Sequence, residues 1–408
     1  MKSDLDALMT AAKLDAIVVL GNAENNPSMY YFTGAGHVSH AALFKKPGQP
    51  PVLYCNAMER AEAAKSGLKV IPRRTSVVEE LSLQPKEIFE EQGLTAGRVA
   101  FFGMLEAGDL ISIERALQAA FPGLEVVGEL QAESIFLRAM ETKDETEVAH
   151  IRQMGKVTTE VVGMVAKYLT EREVGEDEVL LKEDGSPLTI GDVKGKISLW
   201  LAERGAMDVE GVIFAIGHDA GVPHSAGTPT DRMKLGQTIV FDIFPAEAGG
   251  GYFYDFTRTW SLGYAAPETQ QLYDEVRAVY DKVVDNLDLN VAFKEYQKLA
   301  CDEFDKRGHH TPMHTQGLLE NGYVHSLGHG VGLNIHERPR SHHTAADDNI
   351  LRPGVVVTIE PGLYYPEKGM GVRIEDSYWV RPDGKMEILA EYPYDFVLPM
   401  KKWKGSQE

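Results

Sequence analysis

The sequence predicts an α+β protein in two parts, a smaller α/β domain over residues 1–140 and a larger domain over residues 141–408. Three observations carry that expectation. Up to about Arg138 short apolar runs alternate with amphipathic stretches, the pattern of a compact α/β unit. A long amphipathic helix then opens near residue 140. Beyond it, grouped strand-like runs are separated by pairs of helices, which suggests an antiparallel sheet with helices on one face.

Taken in order, AIVVL, AALF, PVLYC, LKVI and VAFF read as strands of the first domain, with Met58 to Ser66 and Leu105 to Ala120 as its helices. The segment RAMETKDETEVAHIRQMGKVTTEVVGMVAKYL reads as the long helix, with Thr142 and Glu145 placed as a capping box. REVGEDE follows as a charged linker, and a second helix is expected around Val193 to Arg204. Strands are expected at Val209 to Ile216, Thr238 to Phe244 and Tyr252 to Trp260, then helices at Thr269 to Asn286 and Phe293 to Arg307. Strands dominate the remainder. No repeat at solenoid periods and no low-complexity tract interrupts the chain.

Composition narrows the function classes. With 408 residues, 43% of them hydrophobic, the chain has apolar material for more than one core. Its 61 acids against 41 bases give a formal charge of -20, which repels phosphate and argues against nucleic-acid and anionic-membrane partners. The first apolar run, of about six residues, is too short and too acidic in its flanks for a signal peptide. No stretch reaches the roughly eighteen apolar residues of a membrane span. A cytoplasmic protein without a membrane partner is the expectation. Cys55 and Cys301 are too few for a disulfide framework and are expected to be buried packing residues.

The chemistry is carried by acids in places that should be apolar. Asp242 lies in TIVFDIFP, Glu360 in VVVTIEPG and Glu375 in GVRIEDSYWV. A buried carboxylate is costly unless a cation sits beside it. Asp255, in YFYDFTRTW, lies thirteen positions after Asp242 across a Pro245 to Gly251 connection that reads as a hairpin with an enlarged loop. The two aspartates could therefore face one another on paired strands. On the second strand Asp255, Thr257 and Thr259 share a face, and Arg258 points the other way. Any one of these acids is as well explained by a nearby lysine or arginine; four together, with His329 of HSLGHGVG, form an oxygen-rich ligand set with one nitrogen donor. Mn²⁺, Co²⁺, Fe²⁺ or Zn²⁺ suits such donors. Four carboxylates exceed the need of one divalent ion, and two ions about 3.5–4 Å apart balance them better.

VPHSAG, FDIF with YDFTRTW, HSLGHGVGLNIHERPR, TIEPG and VRIED together resemble the motifs of the pita-bread metallopeptidases, the family of prolidase, aminopeptidase P and methionine aminopeptidase. They stand in the family's order and close to its spacing, and the resemblance covers essentially the whole chain. It implies a pita-bread catalytic domain behind a smaller creatinase-like α/β domain, two divalent metal ions with Mn²⁺ first among the candidates, and a homodimer. It further implies that Asp242 ligates one metal, that His329 and Glu360 ligate the other, and that Asp255 and Glu375 bridge the pair. Two departures are visible. Ile243 and Phe244 follow Asp242 where a small residue and glycine are usual, and Glu141 stands where a basic residue is common.

The resemblance also assigns roles. A hydroxide shared by the two ions is the implied nucleophile, and Glu360 is the general acid/base that moves the proton to the leaving nitrogen. His224 in GVPHSAGTP and His336 in LNIHERP match histidines that bind substrate and the tetrahedral intermediate. His325, four residues before His329, and Arg373, two before Glu375, are expected to line or support the site, Arg373 by holding a ligating carboxylate. Arg340 in HERPR matches the prolidase arginine that receives the free carboxylate after proline. The implied activity is cleavage of Xaa-Pro dipeptides. Aminopeptidase P acting on longer Xaa-Pro peptides is the alternative, as is a non-peptidase metal-dependent hydrolase or lyase on the same fold. The histidines of RGHHTPMHTQ and RSHHTAADD read as loop residues that could line a lid. Gly328, Gly330 and Gly332 are expected to let backbone pass close to the metals, since their spacing is wrong for a dinucleotide loop.

Overall fold

The computed structural model describes residues 4–34 and 36–403. They form two compact units, one running to Met140 and taking in Gly249–Gly251, the other comprising Glu141–Ala248 and the chain from Tyr252 onward.

The first unit is built on a six-stranded mixed sheet. Its spatial order is Lys69–Arg73, Val52–Asn56, Ala41–Lys45, Ala16–Gly21, Gly97–Gly103 and Leu124–Val127. The Ala41–Lys45 strand runs antiparallel to both neighbours, and the other pairings are parallel. Ala16–Gly21 is buried along its whole length, as a central strand covered on both faces must be, which is why AIVVL shows no alternation. Val18, Leu20, Phe44 and Tyr54 of the sheet pack with Val78, Leu81, Phe89, Ile113 and Leu117 from the helices Val77–Leu83, Lys86–Glu91 and Ala107–Ala120. Helices Leu5–Ala11 and Pro27–Thr33 and strand Leu124–Val127 were absent from the expected elements. Each is too short for its periodicity to register.

The second unit opens with helix Glu145–Thr170, whose buried Val148, Ile151, Val161, Val162, Val165 and Leu169 recur at helical spacing. Its capping box lies two residues beyond the expected pair. Asp144 accepts from the backbone of Thr146 and Glu147, and Glu147 returns the bond to the Asp144 N–H. Thr142 is instead in extended backbone, bridged to Val355. The acidic linker also has structure, a small hairpin of Glu173–Val174 with Leu180–Leu181.

Two antiparallel-based sheets follow. One orders Ile213–Ile216, Thr238–Ile243, Phe256–Leu262 and Val397–Leu398, the last pair parallel. The other orders Glu337–Arg340, His329–Gly330, Val356–Ile359, Asp376–Val380 and Met386–Ile388. A bridge between Thr257 and Glu375 links them, with backbone N–H to O distances of 3.4 and 3.0 Å. Helices Pro267–Val284 and Phe293–Asp305 supply Val276, Val279, Phe293, Ala300 and Phe304 to a core that includes Val357, Ile359 and Val372 from strands. Cys55 and Cys301 are both free and buried. Among the described residues no helix is long and apolar enough to cross a membrane.

Candidate metal centre

The register of the strands brings the acids together. Asp242 lies near the end of Thr238–Ile243, opposite Ile213 on one side and Thr257 on the other. Asp255 immediately precedes Phe256–Leu262 and shares the face of Thr257 by the two-residue period. Thr257 is bridged to Glu375 through backbone, and its hydroxyl donates to Glu375 Oε2 at 2.7 Å. Asp242, Asp255 and Glu375 thus converge where the two sheets meet.

His329 completes the group. Its Nε2 lies 3.5 Å from Asp255 Oδ2 and 3.5 Å from Glu360 Oε1. Its Nδ1 lies 3.0 Å from the Gly330 carbonyl, which can only accept, so the proton sits on Nδ1 and the Nε2 lone pair faces the acids. Burial, with the His336 ring beside it, holds the imidazole down to about 3, so it stays neutral. Single donor atoms of Asp255, His329 and Glu375 all lie within 4.8 Å of one another.

The electrostatics of this cluster are those of a site short of positive charge. Burial, then Asp242 and Glu360, pushes the Asp255 carboxyl well above its usual range, and burial, then Asp255, does the same to Glu375. Burial pushes Glu360 up to about 8 against the pull of Arg373. Asp242 Oδ1, Asp255 Oδ1 and Glu375 Oε1 are buried without any hydrogen-bond partner among the described residues. Polar atoms left so are rare, and three carboxylate oxygens at one place fit a divalent cation with oxygen and imidazole ligands.

Around the acids the structure places the other expected residues. Arg373, 2% exposed, donates to Asp242 Oδ2 at 2.6 Å, to the Tyr364 hydroxyl at 2.7 Å and to the Pro223 carbonyl at 3.2 Å. His325 lies in a loop rather than on the ligand's strand. Its Nδ1 donates to the Ser326 carbonyl at 2.7 Å and its Nε2 accepts from Tyr364 at 2.8 Å. Both nitrogens are used, which places His325 as a support and counts against direct substrate contact. Burial holds it down to about 3, and Nδ1 lies 3.9 Å from Glu360. His336 is exposed, with its ring centroid 4.3 Å from that of His329. His224 is exposed on the loop after Gly221. Arg340 is exposed, sits opposite His329 across the strand pair, and its guanidinium has no hydrogen bond or ion pair among the described residues.

Other sequence signals resolve differently. His309 is held by Glu275 at 2.8 Å and by the Tyr365 hydroxyl at 2.6 Å, and His314 by Asp302 at 2.9 Å. They anchor loops to helices and leave the site alone. A Cβ on Gly328 would overlap the Thr358 carbonyl oxygen and one on Gly330 that of Arg338. These glycines admit neighbouring backbone on either side of His329, the close approach expected of them. Glu141, the acid in place of a base, pairs with Arg338 at 3.0 Å and Arg352 at 3.2 Å. Tyr364, which joins Arg373 to His325, was not anticipated, because a tyrosine in a strand-like run carries no signal of its own.

Residues 149–382 match metallopeptidase family M24, and residues 2–128 match the creatinase/prolidase N-terminal domain. The chain is 27% identical over 390 residues to a Xaa-Pro dipeptidase of Pyrococcus horikoshii, covering 93% of this chain and 94% of that one. It superposes on a Xaa-Pro dipeptidase from Bacillus anthracis with a TM-score of 0.75 at 20% identity, covering 97% of this chain and 99% of the other. On an X-Pro aminopeptidase from Thermotoga maritima the TM-score is 0.74 at 21% identity, covering 96% and 99%. The pita-bread domain behind a creatinase-like domain, expected from the motifs, is therefore the fold of this chain. Near-equal likeness to a dipeptidase and an aminopeptidase leaves substrate length to the site.

Proposed function

The chain belongs to metallopeptidase family M24 and is a metal-dependent peptidase; on that premise we propose that it is a Xaa-Pro dipeptidase working with two divalent ions. The observation that carries the dipeptide reading is Arg340, an exposed guanidinium without a partner among the described residues, directly across the strand pair from His329. A dipeptide ends in a carboxylate one residue beyond the scissile bond, and an arginine fork suits a carboxylate.

Asp242, Asp255, His329, Glu360 and Glu375 would hold the ions, with Asp255 and Glu375 shared between them; the orphaned oxygens of three of these support that reading. When bound, a pair of divalent ions supplies Lewis acidity to the scissile carbonyl and to water. Arg373 holds Asp242 by one oxygen, so that the other, Oδ1, is left for a ligand. Glu360, 3.5 Å from His329 and facing the acids, is the carboxyl placed to pass a proton to the prolyl nitrogen. That nitrogen is a secondary amine and needs its proton from a fixed direction. His224 and His336 are the donors for the carbonyl oxygen as it gains charge, a role worth about 2.7–4 kcal/mol where it has been dissected.

A longer-peptide reading is favoured by one feature: His224, His336 and Arg340 are all exposed, so the leaving-group side is open. The test is to strip the protein with a chelator, reload it with Mn²⁺, and compare kcat/KM on Leu-Pro, a Leu-Pro-Xaa tripeptide and Leu-Ala. Metal-dependent cleavage of Leu-Pro above both others is the expected result. Preference for the tripeptide would move the assignment to aminopeptidase P, and cleavage of Leu-Ala at an equal rate would remove proline from it.

A further inference from the structure

The segment before the long helix reaches back toward the site. Lys143 donates its backbone N–H to the Gly354 carbonyl at 2.7 Å and extends its side chain into the second unit's interior. There its Nζ donates to Glu337 Oε2 at 2.6 Å, with side-chain exposures of 2% for Lys143 and 0% for Glu337. Glu337 immediately follows His336. Its other oxygen, Oε1, accepts from the Asn334 backbone N–H at 3.0 Å and the Asn334 side-chain amide at 3.3 Å. Gly332 donates to the Asn334 carbonyl at 3.1 Å and accepts from Phe253 at 2.8 Å. The turn that presents His336 is therefore closed on one carboxylate, and that carboxylate is held by one lysine. Gly332 has no room to spare over the pair, since a Cβ there would lie 2.6 Å from Glu337 Oε2 and 2.7 Å from Lys143 Cε.

We propose that Lys143 is a positioning residue for His336, acting through Glu337. A carboxylate with no exposure is costly to hold in place without a cation beside it, and the structure offers Glu337 only Lys143 among the described residues. Loss of the lysine frees Glu337 to turn toward water, which releases both Asn334 donors and lets His336 leave the ring contact with His329. The proposal rests on the reading of His336 as a substrate contact.

The test compares full-length, Mn²⁺-loaded Lys143→Arg, Lys143→Met and the double variant Lys143→Met/Glu337→Gln with the unaltered protein. Turnover of Leu-Pro, bound metal and amide hydrogen exchange across residues 330–337 are measured for each. For Lys143→Met, kcat falls by about tenfold or more with KM little changed and metal retained, the scale seen for supporting residues of metal sites. Asn334 exchanges faster in the same variant. Lys143→Arg keeps most of the turnover. The double variant recovers most of the loss, because a glutamine still accepts from Asn334 and leaves no bare charge; it also carries the comparison if Lys143→Met alone fails to fold. Unaltered kcat and unaltered Asn334 exchange in Lys143→Met would overturn the proposal, as would a double variant no better than the single. If the unaltered protein cleaves no peptide, the functional reading fails and the Asn334 exchange alone decides the positioning claim, faster exchange supporting it and unchanged exchange ending it.

Discussion

Two clusters of buried charge lie on opposite faces of the same strand segments. Arg258 and Asp376, both 0% exposed, form one. The guanidinium donates to Asp376 Oδ1 at 2.9 Å and to the Glu375 and Tyr392 carbonyls at 2.9 and 3.0 Å, and lies 4.2 Å from the ring centres of both Phe256 and Tyr394. Tyr280 and Tyr394 donate to Asp376 Oδ2 at 2.5 and 2.8 Å. One residue away in sequence, Thr257 and Glu375 belong to the other cluster, where three carboxylate oxygens have no partner among the described residues. The first cluster is complete within the protein. The second leaves three oxygens unpartnered among the described residues, and that difference supports the proposed reading of its acids as metal ligands.

Neighbouring substitutions should therefore have opposite signatures. Glu375→Gln is expected to lower metal-dependent turnover by more than about 10²-fold, since even residues that merely support ligands cost up to that much. In metal-free protein the same change removes a repelled charge and raises Tm or leaves it unchanged. Asp376→Asn leaves Arg258 buried with no counter-charge among the described residues, and is expected to cost about 3–5 kcal/mol of stability. Chemical denaturation of both metal-free variants checks this, and a similar fall in stability for the two would erase the distinction between the clusters.

Arg340→Ala sharpens the comparison at the rim, where a charge is left free for substrate. Loss of a hydrogen bond to a charged group is worth about 1.5–3 kcal/mol, so KM for Leu-Pro should rise about 10- to 100-fold. KM for a tripeptide should change much less, and equal rises for both would remove Arg340 from carboxylate recognition.

The smallest effect is one of pH on the metal-free protein. Glu360 is raised from its ordinary 4.5 to about 8, so its contribution to stability is full below 4.5 and is lost as pH climbs through 8. His325 and His329 are lowered from 6.5 to about 3, so theirs is full above 6.5 and lost only as pH falls toward 3. Between pH 6.5 and 8 the carboxylate effect acts alone, and Tm of the metal-free protein should fall. Saturating Mn²⁺ should flatten that slope and Glu360→Gln should reduce it by its own share, the raised Asp255 and Glu375 carboxyls carrying the rest; a slope that Mn²⁺ leaves intact would place its origin elsewhere.

The convergence of the acids was more legible in the sequence than several of the local elements around them. Asp242 in TIVFDIFP and Glu375 in GVRIEDSYWV announce themselves because a carboxylate in an apolar run needs a reason. The long strands Thr238–Ile243 and Phe256–Leu262 were legible from the same runs. Elements set by contacts distant in sequence were not. The capping box moved from Thr142 to Asp144 because Thr142 is claimed by Val355, and Glu173–Val174 became a strand by pairing with Leu180–Leu181. Tyr364 and Lys143 matter through partners that no local pattern connects, Arg373 with His325 in one case and Glu337 in the other. His309 misled in the opposite direction, since its partners Glu275 and Tyr365 lie in elements the motif does not include.

Titration of chelator-stripped protein with Mn²⁺ in a calorimeter tests the central claim most directly, because the buried acids are held to be incomplete without cations. Two equivalents bound per chain, with binding lost in Glu375→Gln, is the expected result. No binding by folded protein, or binding that Glu375→Gln leaves intact, would contradict the account.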